Sequence, residues 1–412
     1  MANYRNVFVL IVAGTLLQLA GGILGVITPL GLDAVGASAP MIGVVAALNA
    51  IGFMIGAWYS ADAIRLFGNI RVYAAAAAGA AVTLLFMHMV LDPGAWAFLR
   101  LVQGAALAFM FSSIEAWLGA AVPTEKRGQV SGFYHLMAKI GLIAGPFFAL
   151  GMSAIDPQPY QWGAIFLAMS TLPVCLTRRG EPPVPDVEPL SLHKLFLIAP
   201  AGVVACFVAG VVNTGTLSLL PIYAMDTLIG LGLTPTGQGA WAAAAVWGGG
   251  LLSQWPAGLL SDHIERRFVI GALSAIFGLA AAGLAFLPGA SAILVLVLLG
   301  VWGIGALSYY GIAVAHTIDR APPGKIAQVM AGLIFVWAVG SVLGPILAGL
   351  AMQTPMGPQG LFMMSVISGP IMVLIMLWRR AVRDAPKDAA QEPWNPTTPL
   401  LVGKGEVDPR VD

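Results

Sequence analysis

Residues 123–146, PTEKRGQVSGFYHLMAKIGLIAGP, and residues 322–345, PPGKIAQVMAGLIFVWAVGSVLGP, decide how this chain is built. Pro123, Gln129, Val130, Gly141, Gly145 and Pro146 return at a constant offset of 199 residues as Pro322, Gln328, Val329, Gly340, Gly344 and Pro345. Gly104 answers to Gly303 at the same spacing. Each segment leads into a mainly apolar run long enough to cross a hydrocarbon core of about 30 Å at about 1.5 Å per residue. Two parallel copies of a membrane-spanning unit in one chain are a known transporter plan, with the site at the interface of the repeats.

Outward from this pair, twelve such runs are counted: Val7–Leu30, Met41–Ser60, Val72–Leu91, Trp96–Val122, Gly128–Met152, Gln161–Cys175, Leu195–Ile222, Gly239–Leu260, Phe268–Phe286, Ala292–Val314, Ile326–Met352 and Gly357–Trp378. The first follows Arg5 as a signal peptide would, but it is too long and lacks a small-residue cleavage site, so it reads as a span. Composition agrees. Of 412 residues, 58% are hydrophobic and 9% charged, against roughly 25% charged in a soluble chain. Mean hydropathy is +0.87. The fold class expected is an all-α integral membrane protein of twelve spans in two pseudo-symmetric six-helix bundles, residues 1–176 and 195–380. The polar, proline-rich stretch Thr177–Lys194 is a cytoplasmic linker, and 381–412 a disordered cytoplasmic tail.

The positive charges orient the spans. Arg65, Arg71, Lys126, Arg127, Arg178, Arg179, Lys194, Arg266, Arg267, Arg320 and Lys325 all follow even-numbered spans, whereas loops after odd-numbered spans hold Asp33, Asp92, Asp156 and Asp226 and no basic residue. Both termini are therefore expected in the cytoplasm. A net charge of +1 gives no nucleic-acid footprint. Cys175 and Cys206 make neither a disulfide framework nor a metal site. No nucleophile–base pair or metal-spaced cluster points to an enzyme or a cofactor. No nucleotide-binding loop of the form G-x-x-x-x-G-K-[ST] exists to drive the machine by ATP.

Ionisable groups inside a bilayer cost several kcal/mol, so each is a functional candidate. They are Arg100, Glu115, His135 and Lys139, with His88 nearer an outer end. Glu115 and His135 lie equally far from the hairpin near Glu125, hence at about one depth, and Lys139 shares a helix face with His135. Two readings stand open: a static Glu115–Lys139 salt bridge, or a site where Glu115 exchanges a proton while Lys139 or His135 binds an anionic or zwitterionic solute. For Arg100 the plain alternative is a contact with Asp33 or Asp156.

Four motifs resemble those of the major facilitator superfamily, over nearly the whole chain. Arg100-Leu101-Val102-Gln103-Gly104 is similar to its R-x-x-Q-G element, and the resemblance implies a role for Arg100 in proton transfer. Gly141-x-x-x-Gly145-Pro146 resembles the glycine-proline motif associated with antiporters, with the closing glycine one residue late at Gly151. Gly258 to Arg267 resembles the cytoplasmic loop motif G-x-x-x-D-R-x-G-R-R. In its degraded N-terminal copy Gly68 and Arg71 remain, Arg65 replaces the aspartate and Asp62 lies three residues earlier. Glu115-Ala116-Trp117-Leu118, Gln254 to Asp262 and Ala315 to Arg320 are similar to a YcaD-like bacterial branch, which implies the bacterial inner membrane.

What the resemblance implies for other positions follows. Gln18, Asn49, Asn213, Thr214, Gln254, Ser308, Tyr309 and Tyr310, with Trp247 and Trp337, would line a central cavity or bond between helices. Asp262 would meet Arg127, and Arg65 or Arg71 would meet Asp319, as weak, exposed gate contacts beside Arg266 and Arg267. Gly141, Gly145 and Pro146, with Gly340, Gly344 and Pro345, would be hinges or static kinks, and Pro29 and Pro221 would end their helices. The function expected is alternating-access secondary transport of a small organic solute, coupled to protons, by a monomer in contact with membrane lipid. Efflux by antiport is favoured. Uptake of an anionic metabolite, or a sensor without flux, is the alternative.

Overall fold

A computed structural model describes residues 2–122, 124–175, 192–322 and 325–382, leaving aside the side chains of 2–6, 119–121 and 124–128. The linker up to residue 191, the tail from 383 and the Arg127 side chain lie outside the described residues. The rest is helical: α1 (Ala2–Ala34), α2 (Ala39–Phe67), α3 (Asn69–Met89), α4 (Pro93–Ala121), α5 (Thr124–Ala144), α6 (Pro157–Cys175), α7 (Leu192–Ile198), α8 (Pro200–Ala209), α9 (Gly215–Thr227), α10 (Pro235–His263), α11 (Arg266–Phe286), α12 (Ala292–Ile318), α13 (Ile326–Met352) and α14 (Met363–Val382). Among the described residues, nine segments are long and apolar enough to span a membrane. Short polar turns start several of them. The Asp92 carboxylate accepts from the Ala95 N–H at 2.7 Å ahead of Pro93, and the Ser291 hydroxyl does the same for Leu294.

Proline acts differently from the expectation. Pro29 lies inside α1 and Pro221 inside α9, so neither ends its helix. In lipid no water competes for the freed carbonyl, and helical continuation satisfies every other backbone group. The break falls instead at Ala199-Pro200, where Ala199 leaves the helical region as a residue before proline tends to. That separates the short α7 from the span expected to begin at Leu195. Pro146 follows the end of α5 and lies in a 3₁₀ turn, Gly145–Ala149, whereas Pro345 lies within α13, which runs through it. The C-terminal half is interrupted elsewhere, by a π-helical segment at Gly210–Thr214 between α8 and α9.

The repeated glycines are contact points. A Cβ on Gly104 would stand 2.0 Å from the Asn49 carbonyl of α2, and one on Gly303 would stand 2.1 Å from the Val246 carbonyl of α10. Gly145 meets Leu19 of α1 and Gly344 meets Val211, both at 2.2 Å by the same measure. The 199-residue repeat is thus a repeat of backbone-to-backbone packing, which small residues permit when the solvent is lipid. Gly104→Ala and Gly303→Ala are each expected to destabilise by about 1–3 kcal/mol through overpacking. Gly79→Ala, where nothing lies within 4 Å, is the control; equal melting temperatures for all three variants would refute this.

Contacts divide the chain into two compact units, residues 1–185 with 217–244, and 186–216 with 245–412. The sequence places the boundary at the linker alone. Residues 217–244 group with the first unit because the Thr236 hydroxyl donates to the Met152 carbonyl at 2.8 Å. Trp241 also stands edge-on to Phe147 with ring centroids 5.4 Å apart.

Candidate functional site

In the first unit the charged candidates ride on α4 and α5, both packed on α1. Arg100 Nη1 donates to Gln103 Oε1 at 2.5 Å, one turn along α4. The Arg100 carbonyl accepts from Asn49 Nδ2 at 3.0 Å, an approach that Gly104 permits. Arg100 Nε is buried with no hydrogen-bond partner. Among the described residues no carboxylate pairs with it, and the alternative contact with Asp33 or Asp156 is not made. The Asp156 carboxylate accepts instead from the Ser153 N–H at 2.8 Å. An ion withdrawn from water without a counter-ion costs several kcal/mol.

Deeper along α4, Glu115 is half-buried and, like Lys139, engaged by neighbours. Tyr134, one residue before His135, is within electrostatic reach of Glu115, and His135 is within reach of Lys139. Tyr134 is buried, its hydroxyl has no partner, and its ring packs on Gly14 of α1 and edge-on to His135 at 5.0 Å. Sequence reasoning missed it because a tyrosine in an apolar run reads as packing. The signal available was its place beside His135 in a span already carrying Lys139. Tyr134→Phe is expected to leave thermal stability unchanged or raise it, since an unsatisfied hydroxyl disappears. A large drop in melting temperature would reveal a bond absent here.

The second unit offers neutral polar groups. The π segment carries Asn213, whose side-chain oxygen is buried without a partner, and Thr214, whose hydroxyl donates to Ser341 Oγ at 2.9 Å. Tyr309 is fully buried against Phe277 with its hydroxyl unsatisfied. Tyr310 stands 6.2 Å from Trp337, centroid to centroid. Ser253 and Ser308 hydroxyls lie 2.7 Å apart, and Gln254 Nε2 donates to the Leu307 carbonyl at 3.1 Å. Those three are thereby bound between α10 and α12. Gln18, Asn49 and Trp247 are half-buried.

At the end of α10 the loop motif folds on itself. Arg266 reaches Asp319 at 3.0 Å and Asp262 at 3.7 Å, with the Arg266 and Asp319 side chains each 2% exposed. The gate contacts expected, Asp262–Arg127 and Arg65 or Arg71–Asp319, are other pairs, and the Arg127 side chain lies outside the described residues. Arg267 pairs with Glu265, which also holds Arg380 at 2.9 Å. In the first unit Arg65 pairs with Asp62 at 3.4 Å. His316, just past the run counted in the sequence, is buried, with its Nδ1 3.0 Å from Arg320 Nη1.

Residues 10–237 and 228–407 each match the sequence profile of the Major Facilitator Superfamily. The chain belongs to that superfamily. It is 25% identical, over 92% of its length and 97% of the relative's, to the uncharacterized MFS-type transporter YcaD of Escherichia coli O9:H4. Its fold is that of the nucleoside transporter NupG (TM-score 0.72, 14% identity, 92% of this chain and 100% of that one). A D-xylose-proton symporter is also similar (TM-score 0.69, 14% identity, 90% and 97%). The protein is a multi-pass membrane transporter of this superfamily. Within this superfamily the R-x-x-Q-G spacing acquires a physical reason. It sets Arg100 and Gln103 one turn apart for a side-chain bond and leaves Gly104 bare so that α2 can approach.

Proposed function

We propose that this transporter moves a small organic solute across the bacterial inner membrane against a proton gradient, as an antiporter serving efflux. The observation that carries the charge-coupled reading is Arg100, a half-buried arginine whose Nε is enclosed and which among the described residues has a glutamine but no carboxylate as partner. Such a cation is compensated when a proton leaves a nearby acid or when an anionic group arrives. Glu115, about 22 Å further along α4, is too far to pair with Arg100 and supplies a separate acid in the same unit, within electrostatic reach of Tyr134. The glycine-proline motif supports antiport, and the proton symporter among the fold's relatives supports proton coupling. Arg100 together with Lys139 favours a second reading, uptake of an anionic metabolite with a proton.

The sign of proton movement separates the two. Solutes that raise the melting temperature of the purified protein are added outside proteoliposomes containing a pH-sensitive dye. Antiport makes the lumen alkaline as the solute enters; symport makes it acidic. No proton movement with any stabilising solute would refute coupling. Glu115→Gln is expected to abolish the pH dependence of transport while the solute still shifts the melting temperature. Unchanged pH dependence would remove Glu115 as the proton carrier.

A further inference from the structure

Tyr134 of α5 carries a donor that the fold leaves idle. Its side chain is 2% exposed, and its hydroxyl has no hydrogen-bond partner. A buried donor costs free energy in every state that leaves it unmade. Packing fixes where this one lies. A Cβ on Gly14 of α1 would collide with the ring and stand 3.2 Å from the hydroxyl oxygen, so the ring occupies a notch that glycine at position 14 leaves open. On its other side the ring stands edge-on to His135, with centroids 5.0 Å apart. A second tyrosine within electrostatic reach, Tyr73 of α3, is already committed: its hydroxyl donates to Ser170 Oγ at 3.0 Å.

Glu115 of α4 is half-buried and within electrostatic reach of Tyr134. Among the described side chains, the charged and titratable groups near this depth are His135 and Lys139 on α5, Tyr73 and Arg71 on α3, and Asp62 with Arg65 toward the end of α2. The helix α1 has none from Val7 to Leu32. A phenol suits the task of answering a carboxyl that changes charge. It ordinarily titrates about six pH units above a glutamate, so it keeps its proton while the acid gives one up. We propose that Tyr134 is a positioning residue for proton exchange, its buried hydroxyl donating to the Glu115 carboxylate once the proton has left and standing idle while the carboxyl is protonated. The inference rests on Glu115 being the proton carrier. The proton exchanged is the carboxyl's own, and no bond of the phenol breaks. Because the new hydrogen bond favours the ionised acid, removing it moves the exchange to higher pH.

Infrared difference spectroscopy reads this exchange without any solute. The full-length protein in liposomes is titrated with protons alone, and the carboxylic C=O stretch that Glu115→Gln removes is followed against pH. Tyr134→Phe is expected to shift the midpoint of that band upward by about one to two pH units, the scale of one hydrogen bond to a charged group, with no fall in melting temperature. Replacing Tyr134 by 3-fluorotyrosine, a stronger donor of nearly the same volume, is expected to shift the midpoint downward. That second replacement carries the comparison if the phenylalanine variant does not fold. A midpoint that stays in place in a folded variant, while Glu115→Gln removes the band, overturns the role of Tyr134 and leaves Glu115 as the carrier. A titration that Glu115→Gln leaves intact refutes Glu115 as the carrier and overturns the role of Tyr134 with it.

Discussion

Asp319→Ala is expected to destabilise the protein by about 3–5 kcal/mol, toward the lower figure because Arg266 keeps a longer contact with Asp262 at 3.7 Å. The cost comes from the partner left behind. Arg266 is 2% exposed and would retain a full charge in a site with little water. Replacing both Arg266 and Asp319 by leucine should recover much of the loss, since a buried ion pair contributes little beyond what well-packed apolar groups provide. Cys206 offers the readout. It is buried in the second unit, so a thiol-reactive dye follows its exposure on heating above the background of exposed Cys175. A single variant that melts with the unaltered protein would mean that Arg266 reaches water.

Arg100→Gln is expected to do the opposite: to leave thermal stability equal or higher while reducing transport by about 30-fold or more. Removing a half-buried cation with no carboxylate partner among the described residues relieves a desolvation cost. Losing its contact with an arriving or developing negative charge costs about 2 kcal/mol or more, which is about 30-fold. Arg100→Lys keeps the charge but not the fork that reaches Gln103, so partial activity is expected. Proteoliposome flux and thermal unfolding of the same preparations check the pair. A variant that is destabilised as well as inactive would place Arg100 in the scaffold.

Most of the architecture was legible because lipid imposes strict demands. A chain with 9% charged residues cannot cover itself in water, and a segment in hydrocarbon must satisfy its own backbone as a helix. The repeat at Gly104 and Gly303, and at Gly145 and Gly344, predicted matching halves. The matching contacts explain why those positions stayed glycine, since a methyl group there meets a carbonyl at 2.0–2.2 Å. Residues with one conspicuous charge, Arg100, Glu115 and Lys139, were found the same way. Tyr134, His316 and the π segment at Gly210–Thr214 were not. Each looks ordinary in its own span; Tyr134 and Thr214 take partners from elsewhere, Gly14 and the Ser341 hydroxyl, and His316 meets Arg320 just past the end of its own helix.

The sequence by itself determined the solvent, the helical fold class and the pseudo-repeat, and it pointed to the residues proposed to carry charge chemistry. Only the tertiary structure decided which charges are cancelled. Arg266 and Arg100 are both arginines at helical positions; Arg266 has Asp262 one turn before it and Arg100 has Gln103 one turn after, but neither spacing shows which is met by an acid from elsewhere in the chain. One is met by Asp319, just past the end of α12, at 3.0 Å and the other by a glutamine. Side-chain reach within a helix is set by spacing, but compensation across helices is set by packing, and packing is where desolvation is offset or left standing.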